Sequence, residues 1–185
     1  MIVLGLMIPL EENLIALLEA IEDCLARGRI LPCLTLLYSG IDVVASLEYP
    51  ASTRYTFMDW VDRYFLKSGS LPSTSADLYG ARCGVLHSFS AESDFSDQGK
   101  ARPIVYAWGK ARADDLAVTA KKLGRKEIAI DLRELINAFR AGLATYLEEI
   151  MQDPNRQQKL TAKTDLWLAH MDQGAIETFL KLANP

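Results

Sequence analysis

Leu31–Leu47, LPCLTLLYSGIDVVASL, is the stretch on which the architecture turns. Leu34, Leu36, Leu37, Ile41, Val43, Val44 and Leu47 place apolar side chains on nearly every side of a helix, and such a helix belongs at the centre of a fold. Pro32 is tolerated in its first turn, and Pro50 lies beyond its end. Asp42 stands in the middle of this apolar surface, where a carboxylate needs a partner.

Outward from that helix the pattern stays helical. Leu10 to Arg27 carries apolar residues at 10, 14, 17, 18, 21 and 25 and acids at 11, 12, 19, 22 and 23, an amphipathic stripe that Pro9 opens and Gly28 stops. Tyr55 to Leu66 reads as a third, aromatic helix with Phe57, Trp60, Val61, Tyr64 and Phe65 inside. Lys67 to Thr74 is a loop. Ser73, Thr74 or Ser75 then caps a fourth helix that carries Arg82 and His87 and ends near Ser90 to Ser93.

After Gly99 the pattern changes. Pro103–Trp108 and Glu127–Ile130 are β-prone and are expected to pair as a short antiparallel ribbon, with a helix over Ala113–Leu123 between them. Leu132 to Met151 is a long amphipathic helix capped by Asp131, with Leu135, Ile136, Phe139, Leu143, Tyr146, Leu147 and Ile150 facing inward. Asp153-Pro154-Asn155 ends it, and Leu166–Leu168 with a helix over Gln173–Leu182 completes the chain. The expected fold is mainly α, a bundle of about five to seven helices with a small antiparallel β-hairpin insertion. One domain spans 1–185, made of a bundle core over 10–93, a basic segment with the ribbon over 99–131, and the long and C-terminal helices over 132–185.

At 185 residues the chain is long enough for a substantial core. No continuous apolar run reaches the roughly 18–20 residues of a membrane span. Met1–Leu10 is apolar but lacks a basic flank and a small-residue cleavage site, so it reads as a packed N-terminal arm, not as a secretory signal. Cys24, Cys33 and Cys83 are odd in number and without C-x-x-C spacing, which argues against a disulfide framework or structural zinc and fits a reducing cytoplasm with no membrane partner. Residues 99–126 hold eight basic side chains against Asp114 and Asp115, an island of positive charge in a chain of net charge −4. That island suits a polyanion partner or, more simply, a solvated helix and loop face.

The chemistry-bearing stretch is Leu78-Tyr-Gly-Ala-Arg82-Cys-Gly-Val-Leu-His87-Ser-Phe-Ser, which holds one of only two histidines. Cutting RNA at a phosphodiester requires the 2′-hydroxyl to lose a proton and attack phosphorus. His87 is the side chain to move that proton, and Arg82 the one to bind the developing phosphate charge. Asp42, if adjacent, would orient His87 or hold Arg82. Ser96–Pro103, with Lys100 and Arg102, is a basic segment that reads either as a cover of the cleft that binds substrate phosphate or as a plain surface connection into a strand. Residues five apart on a helix differ by about 140°, so the Arg82 and His87 tips meet only through arginine's length, a helix loosened at Gly84, or a second subunit.

Arg82-x4-His87 in a helical bundle resembles the signature of the HEPN superfamily, an arginine followed after four to six residues by a histidine. The resemblance covers roughly Leu10 to Ser93. It implies a homodimer whose two motifs share a cleft, and metal-independent RNA cleavage or RNA binding without a cofactor. It also implies a toxin–antitoxin or phage-defence setting with a cognate antitoxin. The residue after the arginine is often asparagine in active members; here it is Cys83.

Two other readings stand beside it. One is a non-catalytic helical interaction or regulatory protein in which Arg82 pairs with Asp42 as a structural brace. The other is a bundle that binds a small molecule. His170 and Asp172 are too close in sequence to face one ligand on a helix. Glu148/Glu149 and Asp59/Asp62 read as solvated faces, and Trp60, Trp108 and Trp167 as core before base-stacking groups. Nucleotide-binding glycine loops and G-x-S-x-G elbows are absent from the sequence.

Overall fold

The computed structural model describes residues 8–49, 53–68, 71–164, 177 and 181. The expected Leu166–Leu168 segment, most of the Gln173–Leu182 helix, Trp167, His170, Asp172 and Met1–Met7 of the N-terminal arm lie outside the described residues.

Helix α1 (Ile8–Ala26) and helix α2 (Ile30–Glu48) form an antiparallel hairpin. Gly28 makes the turn between them at φ +66°. Its N–H donates to the Leu25 carbonyl and the Arg29 N–H to the Cys24 carbonyl, a Schellman closure that favours glycine because a Cβ is strained at this φ. Helix α2 is central, burying Leu37, Tyr38, Ile41, Val44 and Ala45 among its neighbours. Val43, expected inside, is exposed. Helix α2 is long and apolar enough to cross a bilayer by length and composition alone, with a mean hydropathy of 1.8, but half of that stretch is buried in the fold and a core helix passes the same test.

Helix α3 (Arg54–Trp60) runs on through a π-helical turn over Val61–Phe65 and a 3-10 turn over Leu66–Ser68. The five expected core residues of this segment are all buried. Helix α4 (Ser75–Ser88) is capped by Thr74, whose hydroxyl accepts from the Asp77 N–H while the Asp77 carboxylate accepts from the Thr74 N–H. It ends two residues short of the expected region, at a left-handed Phe89. A short helix, α5 (Asp94–Asp97), follows behind a Ser93 cap.

The ribbon is parallel, not antiparallel. Strand β1 (Ile104–Ala107) pairs with β2 (Ile128–Asp131) in the register Ile104↔Ile128 to Ala107↔Asp131. Helix α6 (Ala113–Lys122) is the reason. A helix between two strands carries the chain back to the end where the first strand began, so the second strand must run the same way; a hairpin needs a tight turn.

Helix α7 (Leu132–Met151) starts at Asp131, whose carboxylate accepts from the Arg133 and Glu134 N–H groups. Its inner stripe is as expected, except that Leu147 is only partly buried. Phe139 and Tyr146 pack on Trp60, and Tyr146 meets Tyr64 edge-on at 5.3 Å. Asp153-Pro154-Asn155 both ends α7 and starts helix α8 (Pro154–Thr164). The Asp153 carboxylate accepts from the Asn155 and Arg156 N–H groups, with Pro154 at the first helical position. Lys163 on α8 then donates to the carbonyls of Ser46, Leu47 and Tyr49, satisfying the open end of α2.

Candidate functional site

Helices α2 and α4 pack together, and their buried stripes decide what stands at the seam. Ile41 and Ala45 on α2, with Leu78, Ala81 and Val85 on α4, are buried. Asp42 and Arg82 are set one position off those stripes, at the partly open edge, with side-chain exposures of 20% and 21%. Arg82 Nε donates to Asp42 Oδ2 at 2.7 Å, and Nη2 lies 2.7 Å from the same oxygen. One edge of the guanidinium is therefore fixed. The remaining nitrogen, Nη1, stands 2.9 Å from His87 Nε2. Arginine has only donors, so Nε2 accepts here and the ring proton belongs on Nδ1.

Arginine's length brings the two tips together. Helix α4 is unbroken α-helix from Ser75 to Ser88, and the contact is made within one chain. Gly84 serves another purpose. Its carbonyl accepts from the Phe89 and Ser90 N–H groups and from Ser88 Oγ, so the chain hooks back over the helix. A Cβ at Gly84 would lie 2.4 Å from the Ser90 carbonyl oxygen and 2.8 Å from that of Glu92. The hook is possible because the residue is glycine.

Burial pulls the Arg82 guanidinium toward lower pKa, but the hydrogen bond and charge of Asp42, with a smaller contribution from Cys83, overcome it and hold the group above its ordinary value. Tyr79, one turn earlier, is pushed up, first by burial and then by Cys83. Cys83 thus sits between Tyr79 and Arg82.

His87, Cys83 and Tyr79 open onto a groove of about 710 Å³ that Phe95, Lys100 and Arg54 also line. Tyr79 meets Phe95 edge-on at 5.4 Å and Phe57 at 5.6 Å, which makes an aromatic wall. Arg54 and Lys100 face Glu92, Asp94 and Asp97 in this groove. It is therefore not a strongly cationic channel.

The structure brings Asp42, Arg82 and His87 together. Of the three, His87 lines the groove, as does Lys100, whereas Asp42 and Arg82 are not among its lining residues. Lys100 Nζ donates to Gln98 Oε1 at 2.6 Å and lies over the Phe95 ring. Arg102 is elsewhere. Its guanidinium Nη2 reaches Asp77 Oδ2 at 2.6 Å and the Pro72 carbonyl at 3.1 Å, and its backbone N–H donates to Asp77 Oδ1. Asp77 precedes His87 by ten residues on α4, about 15 Å along the axis. Arg102 clamps the start of that helix. Asp77 is 3% exposed; burial raises its carboxyl, but Arg102 and the Thr74 cap outweigh this and hold it below the usual value. A second groove of about 690 Å³ beside Arg102 sets Lys100, Arg102, Arg125 and Lys126 against Asp77, Glu92, Asp97 and Glu127, so the basic island is largely neutralised there.

Of the carboxylate pairs expected on solvated faces, Asp59, Asp62 and Glu148 are exposed and Glu149 is half-buried, and three of the four are hydrogen-bonded. Asp59 accepts from Tyr49, Asp62 from Ser75, and Glu149 from Tyr64 and Arg156. Among the described residues, no group of three or more His, Cys, Asp and Glu side chains gathers as a metal site. Trp60 is core as expected, whereas Trp108 is half exposed.

Sequence reasoning missed Phe89. It is the one non-glycine residue with positive φ among the described residues (φ +52°), and it is 69% exposed. The Gly84 to Ser90 spacing was its only trace.

Comparison with protein-family models finds no match, and neither does comparison with curated proteins or with solved structures.

Proposed function

We propose that this protein is a HEPN-like, metal-independent ribonuclease or RNA-binding protein centred on Arg82 and His87, with Asp42 as the residue that positions Arg82. The observation that carries this reading is the 2.9 Å approach of Arg82 Nη1 to His87 Nε2 while Asp42 holds the opposite edge of the guanidinium.

In this reading a substrate phosphate takes Nη1 away from the imidazole. That exchange frees the Nε2 lone pair beside the bound phosphate. Nε2 accepts the proton of the ribose 2′-hydroxyl, O2′ bonds to phosphorus, and the P–O5′ bond breaks. O5′ leaves as a hydroxyl after protonation, and the other product ends in a 2′,3′-cyclic phosphate. Arg82 stabilises the added negative charge of the pentacovalent state, and proton transfer by the histidine contributes about 10²–10⁴-fold. DNA lacks the nucleophile. A homodimer with facing motifs would provide a second imidazole to protonate O5′. The toxin or phage-defence setting and a cognate antitoxin follow from the HEPN resemblance.

The test is RNA cleavage by the full chain in EDTA. Activity that survives chelation and disappears in His87→Ala, with unchanged melting, supports the reading; absence of cleavage and of RNA binding overturns it. The second reading, a non-catalytic interaction protein braced by Asp42–Arg82, is favoured by the acids in the groove. It predicts that Arg82→Ala lowers stability and that RNA is not bound.

A further inference from the structure

We propose that the groove at the carboxyl end of the two-stranded sheet binds a guanine base. Trp108 stacks on the face of the base, Asp131 accepts its N1–H and N2–H groups, and Arg133 donates to O6 and N7. The lining of this groove shares no residue with the groove of His87, and the inference does not rest on the RNA reading above.

Strands β1 and β2 run parallel and end level, with Ala107 opposite Asp131. Ligands of parallel α/β units gather outside the carboxyl ends of the strands. Here the chain leaving β1 brings Trp108, and the chain leaving β2 brings Leu132 and Arg133, to one groove of about 390 Å³. Leu25 and Gly28 of the α1–α2 hairpin also line it. Its size falls within the range of small-ligand sites, which are mostly apolar with a few placed polar groups.

Trp108 is 49% exposed, so a large aromatic surface stands open here. Its Cζ3 lies 4.0 Å from where a Cβ would stand on Gly28, and the hairpin turn thus seats that edge of the indole. The polar groups beside it have capacity to spare. Asp131 Oδ1 accepts from the Arg133 and Glu134 N–H groups, which occupies both of its lone pairs. Oδ2 of the same carboxylate has no partner among the described residues. Arg133 Nη1 is tied to Glu22, while its Nε and Nη2 have no partner among the described residues.

An acceptor with two open lone pairs and the free edge of a guanidinium therefore share a groove with an indole. Guanine matches that set. It carries two adjacent donors, N1–H and N2–H, next to two acceptors, O6 and N7, which arginine pairs with bidentately. Adenine and cytosine place a ring acceptor beside their amine, so a lone pair would meet Oδ2. Uracil offers one N–H between two carbonyls. A cation seated between Trp108 and Asp131 would face the charge of Arg133.

The test titrates the full chain with 5′-GMP, 5′-IMP and 5′-AMP by calorimetry, with tryptophan fluorescence read in parallel. GMP should bind and quench the emission. IMP, which lacks the N2 amine, should bind about tenfold more weakly, and AMP more weakly still. Asparagine caps a helix as well as aspartate does, so Asp131→Asn should leave the melting temperature unchanged. Its amide donors would oppose those of guanine, and GMP affinity should fall about tenfold or more. Trp108→Ala should weaken GMP binding about tenfold and abolish the quenching.

Fluorescein-labelled RNA hexamers, one all uridine and one with a single guanine, identify the source of the base. Guanine-dependent hexamer binding tighter than that of GMP supports the site and assigns the base to an RNA strand. GMP binding that the hexamer does not exceed supports the site and assigns it to a free nucleotide. Equal affinity for the three nucleotides, unchanged GMP affinity in either variant, or failure of both GMP and the guanine hexamer to bind overturns the proposal.

Discussion

Breaking the Asp42–Arg82 pair should loosen the α2–α4 seam by an amount the structure bounds. Both partners are about one-fifth exposed, and two guanidinium nitrogens share one carboxylate oxygen at 2.7 Å. A fully exposed pair contributes about 0–1 kcal/mol, and removing one partner of a fully buried pair costs about 3–5 kcal/mol. Charge-assisted hydrogen bonds of this length fall between, so Asp42→Ala should cost about 2–3 kcal/mol. For a chain of this size that lowers Tm by about 5–10 °C. Arg82→Ala should cost a similar amount, and the double variant less than the sum, with a coupling energy of about 1–2 kcal/mol. Urea unfolding followed by far-UV circular dichroism measures all four corners of the cycle. Strict additivity, or a cost below about 0.5 kcal/mol for either single change, would show that the pair does not brace the seam.

Two further predictions concern its surroundings. In an ordinary helix Gly→Ala gains about 1 kcal/mol, but at Gly84 the new Cβ would strike the Ser90 and Glu92 carbonyls, so Gly84→Ala should lose about 1–3 kcal/mol net; a rise in Tm would refute the hook. Asp77 has a folded pKa below the ordinary aspartate value, so its stabilisation is complete at pH above that value and disappears as pH falls through the lowered one. Asp77→Asn should accordingly be less stable than the parent at neutral pH and approach it in acid below about pH 4, and a constant gap from pH 7 down to strong acid would contradict that assignment.

Much of this arrangement was legible because short-range rules governed it. The apolar circumference of Leu31–Leu47 marks the central helix, Asp131 caps α7 as its side chain dictates, and Thr74 with Asp77 completes a capping box. Where two meanings share one signal, the reading failed. Asp153-Pro154 is a stop for α7 and equally a start for α8, and nothing local says that both apply. Strand direction is set by where α6 returns the chain, not by residue type. At the candidate site, Asp42 needed a partner, and Arg82 supplied it. The meeting of Arg82 with His87 depends on a side-chain reach that helical angles alone do not give. Arg102 misled because a basic residue in a connecting segment looks available, whereas a buried carboxylate 25 positions earlier claims it.

Asp42 has one more consequence, felt during synthesis. It is the one charged side chain between Ile30 and Leu47, in a helix otherwise greasy enough for lipid. Helix α2 leaves the ribosome well before Arg82 or α7 exists to cover it. An acidic group at the middle of a bilayer-length segment disfavours insertion by about 3 kcal/mol. The carboxylate that later aims a guanidinium therefore also discourages the nascent chain from straying into a membrane.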